Sequence, residues 1–245
     1  VSSASLAYRA GYGLYRAGKV GEAVAPLTRA VGQAPDAAQM HHALGLALRD
    51  SGDTARARAS LEQAVALAPA LIAAREALAD LLGREGHTAE RLRHLEALAA
   101  LDPTVSRHLA VAVAAARAGR TDRAVLALGS ANDLAPGEPR LHLALGYVWM
   151  LDAERKGDRA SLRKASEALR HAAASEQTSE SLGILGRLAY LNGARGEAVR
   201  LLDRAAGERP IWPEALKYQA DALRAVGRTK QADAAAAAYR ALTGS

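Results

Sequence analysis

The sequence predicts an all-α fold of stacked antiparallel helix hairpins, and three observations predict it. Half of the 245 residues are apolar, yet Phe and Cys are absent and Ile occurs only three times, while Ala and Leu dominate. These are helix formers, and the chain is poor in the β-branched and aromatic side chains that strands prefer. Second, the small residues Gly11, Gly45, Ala79, Ala112, Gly146, Gly186 and Ala220 fall at spacings of 34, 34, 33, 34, 40 and 34. Third, two further series keep the same period: Gly18, Gly52, Gly86, Gly119, Gly157, Gly193 and Gly227, then Pro35, Pro69, Pro103, Pro136 and Pro210, with Gln177 where another Pro would fall. Self-similarity at one period marks a repeat architecture.

Each unit reads as helix, Gly turn, helix, Pro turn. Glycine supplies the positive φ of a helix C-terminal cap, and proline ends a helix by removing a donor and restricting the residue before it. Helices of about 12–14 residues are marginal alone in water, so the hairpins depend on stacking. The resulting units cover about residues 4–37, 38–71, 72–104, 105–138, 139–178, 179–212 and 213–245, read as one array over 1–245. The fifth is longer. Gly146 to Gly157 spans 11 residues where the other units have 7, and Gly157 to Ala165 spans 8 where they have 5. Each excess is close to one turn, so both helices can lengthen and keep their buried faces. A charged hairpin end carrying Asp152, Glu154, Arg155, Lys156, Asp158 and Arg159 is expected to project there. It reads as a tolerated length variation or as a secondary docking knob.

These residues resemble the tetratricopeptide family. The second unit carries Leu44, Gly45, Leu48, Gly52, Ala57, Leu61, Ala64 and Pro69. The first has Gly11, Leu14, Ala23, Leu27, Ala30 and Pro35, and the sixth Leu185, Gly186, Ala198, Leu202, Ala205 and Pro210. The third departs most, with Arg91 and Leu98 where the family prefers Ala. The resemblance covers essentially the whole chain. It implies a right-handed α-solenoid and a protein-binding scaffold rather than an enzyme.

The chemistry-bearing patterns are weak by comparison. Gly11-x-Gly13 follows no strand and lacks the third Gly of a phosphate loop, and there is no GxxxxGK[ST], HExxH or GxSxG. The seven His show no metal spacing, and His41, His108 and His142 share a repeat slot that points to packing. No cofactor and no metal are expected. No run approaches the roughly 20 apolar residues of a membrane span. The formal charge of +6 rests on Arg, with only five Lys, and basic and acidic residues alternate as on solvated helix faces. That pattern argues against nucleic acid as the partner unless the charge gathers on one face. Richness in Ala and Arg with two Asn suggests a GC-rich bacterial source. The absence of Cys fits reducing and oxidising compartments equally.

With Gly11 and its equivalents as position 8, positions 4, 7, 8 and 11 of each first helix form the buried stripe. Positions 2, 5, 9 and 12 form the neighbouring one, which in the family lines the concave binding surface. Along the chain it presents Tyr8, Tyr12 and Tyr15, then His42, Leu46 and Arg49, then Leu109, Val113, Leu143, Tyr147 and Met150, and last Arg187, Tyr190, Lys217 and Arg224. The third group reads either as an apolar recognition strip or as a buried seam. The two-carboxylate clamp of chaperone-binding relatives is missing, since positions 5 and 9 are Tyr8 and Tyr12, His42 and Leu46, Glu76 and Asp80. Leu109 and Leu143 do not suit the polar code of RNA-reading repeats. The expected partner is therefore a protein segment, in bacterial envelope assembly (secretion, pilus biogenesis or polysaccharide export) by resemblance, with a periplasmic or envelope setting favoured. Two other readings stand beside it: self-association through the final helix (Ala234–Ala238, Tyr239, Leu242), and the accessory region of a glycosyltransferase- or sulfotransferase-type enzyme.

Overall fold

The computed structural model describes residues 2–172 and 177–244; the end of the fifth unit, 173–176, lies outside the described residues. Seven hairpins are seen among them: α1 (Ser3–Arg16) with α2 (Val20–Gln33), α3 (Ala38–Asp50) with α4 (Thr54–Leu67), α5 (Ile72–Arg84) with α6 (Thr88–Leu101), and α7 (Val105–Arg117) with α8 (Thr121–Leu134). There follow α9 (Pro139–Lys156) with α10 (Arg159–Ala172), α11 (Ser179–Leu191) with α12 (Arg195–Gly207), and α13 (Pro213–Ala225) with α14 (Thr229–Thr243). No strand occurs among the described residues. The chain divides into two compact units, Val1–Arg107 and His108–Ser245, with the division near the start of α7.

The turn glycines do what their spacing predicts. All seven adopt positive φ, between 69° and 92°. In six turns the residue after the glycine donates its N–H to a carbonyl five residues back, as in Lys19 to Leu14 (3.0 Å), Asp53 to Leu48 (2.9 Å) and Arg228 to Leu223 (2.9 Å). This is the Schellman arrangement, which satisfies orphan carbonyls at the helix end. Gly157 differs. It bonds only back to Ala153 (2.8 Å), and Asp158 then caps α10 by accepting from the Ser161 N–H at 2.8 Å.

Within a hairpin, the glycine of the first helix lies against a leucine of the second. A Cβ on Gly11, Gly45, Gly146 or Gly186 would fall 2.5–2.6 Å from Cγ of Leu27, Leu61, Leu169 or Leu202. Those leucines are 0–2% exposed. Small residues on the second helix answer from the other side: Ala23, Ala57, Ala124, Ala165, Ala198 and Ala232 are fully buried. The third hairpin places Arg91 at this slot, and the space comes from Gly83, where a Cβ would meet Arg91 Nε at 3.0 Å.

The lengthened fifth hairpin is tied by Asp152. This residue is fully buried, not part of a projecting charged surface as its neighbours in sequence suggest. It accepts hydrogen bonds from Thr121 Oγ1 (2.6 Å) on α8, Ser161 Oγ (2.7 Å) on α10 and Arg155 (3.0 Å), and it pairs with Lys156 (2.9 Å). Burial pushes the Asp152 carboxyl up, but the bonds from Thr121, Lys156, Ser161 and Arg155 outweigh it and hold the group well below the usual carboxylate range. The extra turn of α9 thereby brings one carboxylate into reach of three helices.

Gly45→Ala is expected to destabilise by about 1–3 kcal/mol through overpacking against Leu61. Gly13→Ala lies mid-helix with nothing within 4 Å of the added methyl, and should stabilise by about 0.5–1 kcal/mol. Urea unfolding of both variants checks the pair. Asp152→Ala should cost about 1–3 kcal/mol by stranding the Thr121 and Ser161 hydroxyls. Because Asp152 binds its proton less readily folded than unfolded, its contribution is complete above the unfolded value of about 4 and is lost as pH falls further. Denaturation between pH 5 and 2 should therefore be less steep in pH for Asp152→Asn than for the native chain.

Candidate partner-binding surfaces

In the unit Val1–Arg107, the position 5, 9 and 12 residues of α1 and α3 are all half-buried. The three tyrosines and Leu46 rest on the core that includes Leu27, Leu44, Leu48 and Leu61. Tyr8 and Tyr12 stack with ring centroids 5.7 Å apart and planes 8° from parallel, and Tyr12 and Tyr15 follow at 6.3 Å and 26°. Tyr15 donates its hydroxyl to Asp50 Oδ2 at 2.8 Å, and Arg49 Nε donates to Oδ1 of the same carboxylate at 2.7 Å. The bond from Arg49, joined by that from Tyr15, lowers the Asp50 carboxyl below its ordinary range. Burial and the neighbouring Arg49 depress the His42 imidazole, so it is neutral at neutral pH. The result is an aromatic ladder on α1 beside a short polar and apolar face, His42, Leu46 and Arg49, on α3.

In the unit His108–Ser245 the stripe divides. Leu109, Val113 and Leu143 are half-buried. Met150 is fully enclosed, in one core cluster with Leu169, Ile184 and Leu188, and Tyr147 is only 5% exposed. The reading of these two as an open apolar strip is corrected: α11 packs against α9 and covers position 12, and Trp212 sets its edge against Tyr147 (5.8 Å, 80°). Trp212 also meets Tyr218 edge-on at 5.8 Å, and its backbone N–H donates to Ser179 Oγ at 2.9 Å. Sequence reasoning passed over Trp212 because it precedes Pro213 in a linker. A signal existed in Gly183, at position 5 of the sixth unit, where a Cβ would sit 2.8 Å from the indole.

Of the remaining residues, Arg187 and Lys217 line a cleft of about 470 Å³ together with Leu151, Glu154 and Glu214, whereas Tyr190 and Arg224 lie outside its lining. Tyr147 and Tyr218 line it from the core, and Tyr239 of α14 closes one side. Burial raises the Tyr218 hydroxyl far above its ordinary value, reinforced by Tyr147 and Glu154. Arg117 donates to the Tyr147 hydroxyl (3.2 Å) and to Glu214. Arg187 bonds Glu154 and, at 3.2 Å, Asp221, and its guanidinium lies 4.9 Å from the ring centres of both Tyr190 and Tyr218. Arg224 pairs with Asp233 at 3.4 Å. Lys217 is exposed and has no ion-pair partner among the described residues. Arg187 thus serves as scaffold, while Lys217 is spare.

Among the described residues no three His, Asp or Glu side chains are grouped to hold a metal, and no helix is long and apolar enough to cross a membrane. His41 is buried and bonds the Pro35 carbonyl oxygen through Nε2 at 2.8 Å, a turn-fastening role. On α14, Ala232 and Ala235 are buried whereas Leu242 is 53% exposed.

The division between scaffold and spare cations is measurable. Lys217→Glu should leave unfolding stability within about 0.5 kcal/mol, as at an uncoupled surface site. Arg187→Ala removes two carboxylate bonds and the packing between two rings and should cost about 1–3 kcal/mol.

No family model matches the sequence, and no curated protein is similar to it. Solved structures are. A tetratricopeptide repeat protein from Parabacteroides merdae is similar at a TM-score of 0.79 and 14% identity, over 98% of this chain and 93% of that one. PilF of Pseudomonas aeruginosa is similar at 0.53 and 18% identity, covering 89% of this chain and 97% of its own. PilW, described as a widely conserved type IV pilus biogenesis factor, is similar at 0.55 and 17% identity, with 89% and 99% covered. At these identities the likeness speaks to fold, and it agrees with the Gly–Leu hairpins and Schellman turns: in fold, this chain is a tetratricopeptide-repeat α-solenoid.

Proposed function

We propose that this chain is a non-catalytic scaffold that holds a segment of a partner protein against its first helices, in the assembly of a larger bacterial envelope complex. The observation that carries this reading is the face left over after packing. On α1 and α3 it offers a tyrosine ladder with His42, Leu46 and Arg49, and on α9, α11 and α13 a cleft with Lys217 at its edge. Aromatic side chains with one wet edge, together with Arg, are the groups that dominate protein–protein recognition. The envelope setting draws on the fold likeness to PilF and PilW. A second reading, self-association, is favoured by the exposed Leu242 on α14.

The test is a pull-down from cell lysate with the native chain, a Tyr8→Ala/Tyr12→Ala variant and a Lys217→Glu variant, each first checked for native helicity. Substitution of Tyr147 or Met150 is avoided, since both belong to the core. A partner held by the native chain and lost by either variant is the expected outcome and names the surface used. Equal retention by all three would sink the first-helix reading. Mass that rises with concentration in light scattering, and is abolished by Leu242→Asp, would put self-association in its place.

A further inference from the structure

We propose that the outer side of α10 is a second docking surface, shaped for an acidic segment of a protein. A groove of about 780 Å³ runs along it, lined by Arg159, Arg163, Lys164 and Arg170 with the single acid Glu167 among them, and bounded by Leu191 and Asn192 at the end of α11. At 100° per residue, Arg159, Arg163, Ser166 and Arg170 fall on one narrow arc of the helix. Ser166 turns its hydroxyl inward to the Leu162 carbonyl (2.9 Å), which leaves the arc to the guanidiniums. All four cations are exposed, and none forms an ion pair among the described residues. In the same unit Arg117, Arg140, Arg155, Arg187 and Arg224 each have a carboxylate partner. α10 itself carries Arg159, Arg163, Lys164 and Arg170 against one acid, Glu167. The charge that alternates along other helices stands at four cations to one acid on α10.

The occupant follows from what surrounds the cations. Nucleic acid needs a stacking surface or a long phosphate track. Trp149, on the neighbouring α9, is half-buried with the Lys164 ammonium 3.9 Å from its ring centre, so no base can stack on it. A bilayer surface calls for apolar side chains that insert, and Leu162 and Leu191 are half-buried. The surface is also grooved rather than flat. The arginines recur at four and seven residues, about 6 and 10 Å along the helix axis. A partner helix lying alongside, with Asp or Glu at the same spacing, meets all three. Arginine favours such carboxylate pairing through its planar fork of donors. This surface is independent of the first-helix face, and either reading can fail without the other.

The experiment uses a fluorescein-labelled decaglutamate peptide and fluorescence anisotropy at low salt, where exposed charge pairs are least screened. The native chain is expected to bind it. Arg159→Glu/Arg163→Glu/Arg170→Glu should weaken binding by at least about tenfold, as three exposed ion pairs are lost and reversed. Lys230→Glu, exposed on α14 and outside both surfaces, should leave it unchanged. Arg163→Glu and Arg170→Glu alone, which disturb no packing, should give the same direction in smaller steps. Equal binding by native and triple variant would overturn the proposal, as would loss confined to Lys217→Glu, which would move the site to the cleft. An oligothymidylate of equal charge, or phosphatidylglycerol vesicles, bound more tightly than the peptide would overturn it in favour of nucleic acid or membrane.

Discussion

The rest of the structure depends on how closely the two helices of a hairpin approach. Four glycines, Gly11, Gly45, Gly146 and Gly186, leave no room for even a methyl against the opposing leucine. At that distance backbone meets side chain, and dispersion attraction between two marginal helices is at its largest. The first helix then has a fixed roll. Its position 8 faces inward, so its positions 5, 9 and 12 stand where a neighbouring hairpin or a ligand can reach them. The tyrosine ladder and the cleft are consequences of that roll rather than separate inventions.

Much of this was legible before any coordinates. Turn glycines and buried alanines are dictated by backbone sterics, which leave few residue choices, so their period survives in the sequence. Gly18 and Gly52 announce their positive φ by being glycine, and Ala23 and Ala57 announce close approach by being small. What periodicity could not reveal was which face of a first helix is covered by the next hairpin. Met150 and Tyr147 share the helical phase of Val113 and Leu143, yet α11 and Trp212 enclose the first two and leave the others half-buried. That difference comes from tertiary contacts with residues more than 30 positions away, to which a helical wheel is blind. Asp152 shows the same limit with the opposite sign. A carboxylate in a charged run reads as solvated until Thr121 and Ser161 are found on either side of it.

The third hairpin shows how a repeat absorbs an exception. Arg91 occupies the slot that is a fully buried alanine in the six others, and Gly83 on the facing helix gives back the missing volume. The substitution and its compensation lie eight residues apart across one turn. A deviation from the family pattern therefore need not signal a lost unit; it can mark a local exchange of bulk between two helices.

The tyrosine ladder has a thermodynamic consequence. Tyr8, Tyr12 and Tyr15 stack on one another and Tyr15 bonds Asp50, contacts that restrict their rotamers in the free chain. A ligand settling on them freezes few side-chain torsions, whereas a ligand drawn to Lys217 must immobilise a long flexible chain at an entropic cost of about 0.5–1.5 kcal/mol. The two units of this protein thus differ in what a ligand must order: stacked rings in one, and in the other a single unpaired lysine at the edge of an otherwise packed cleft.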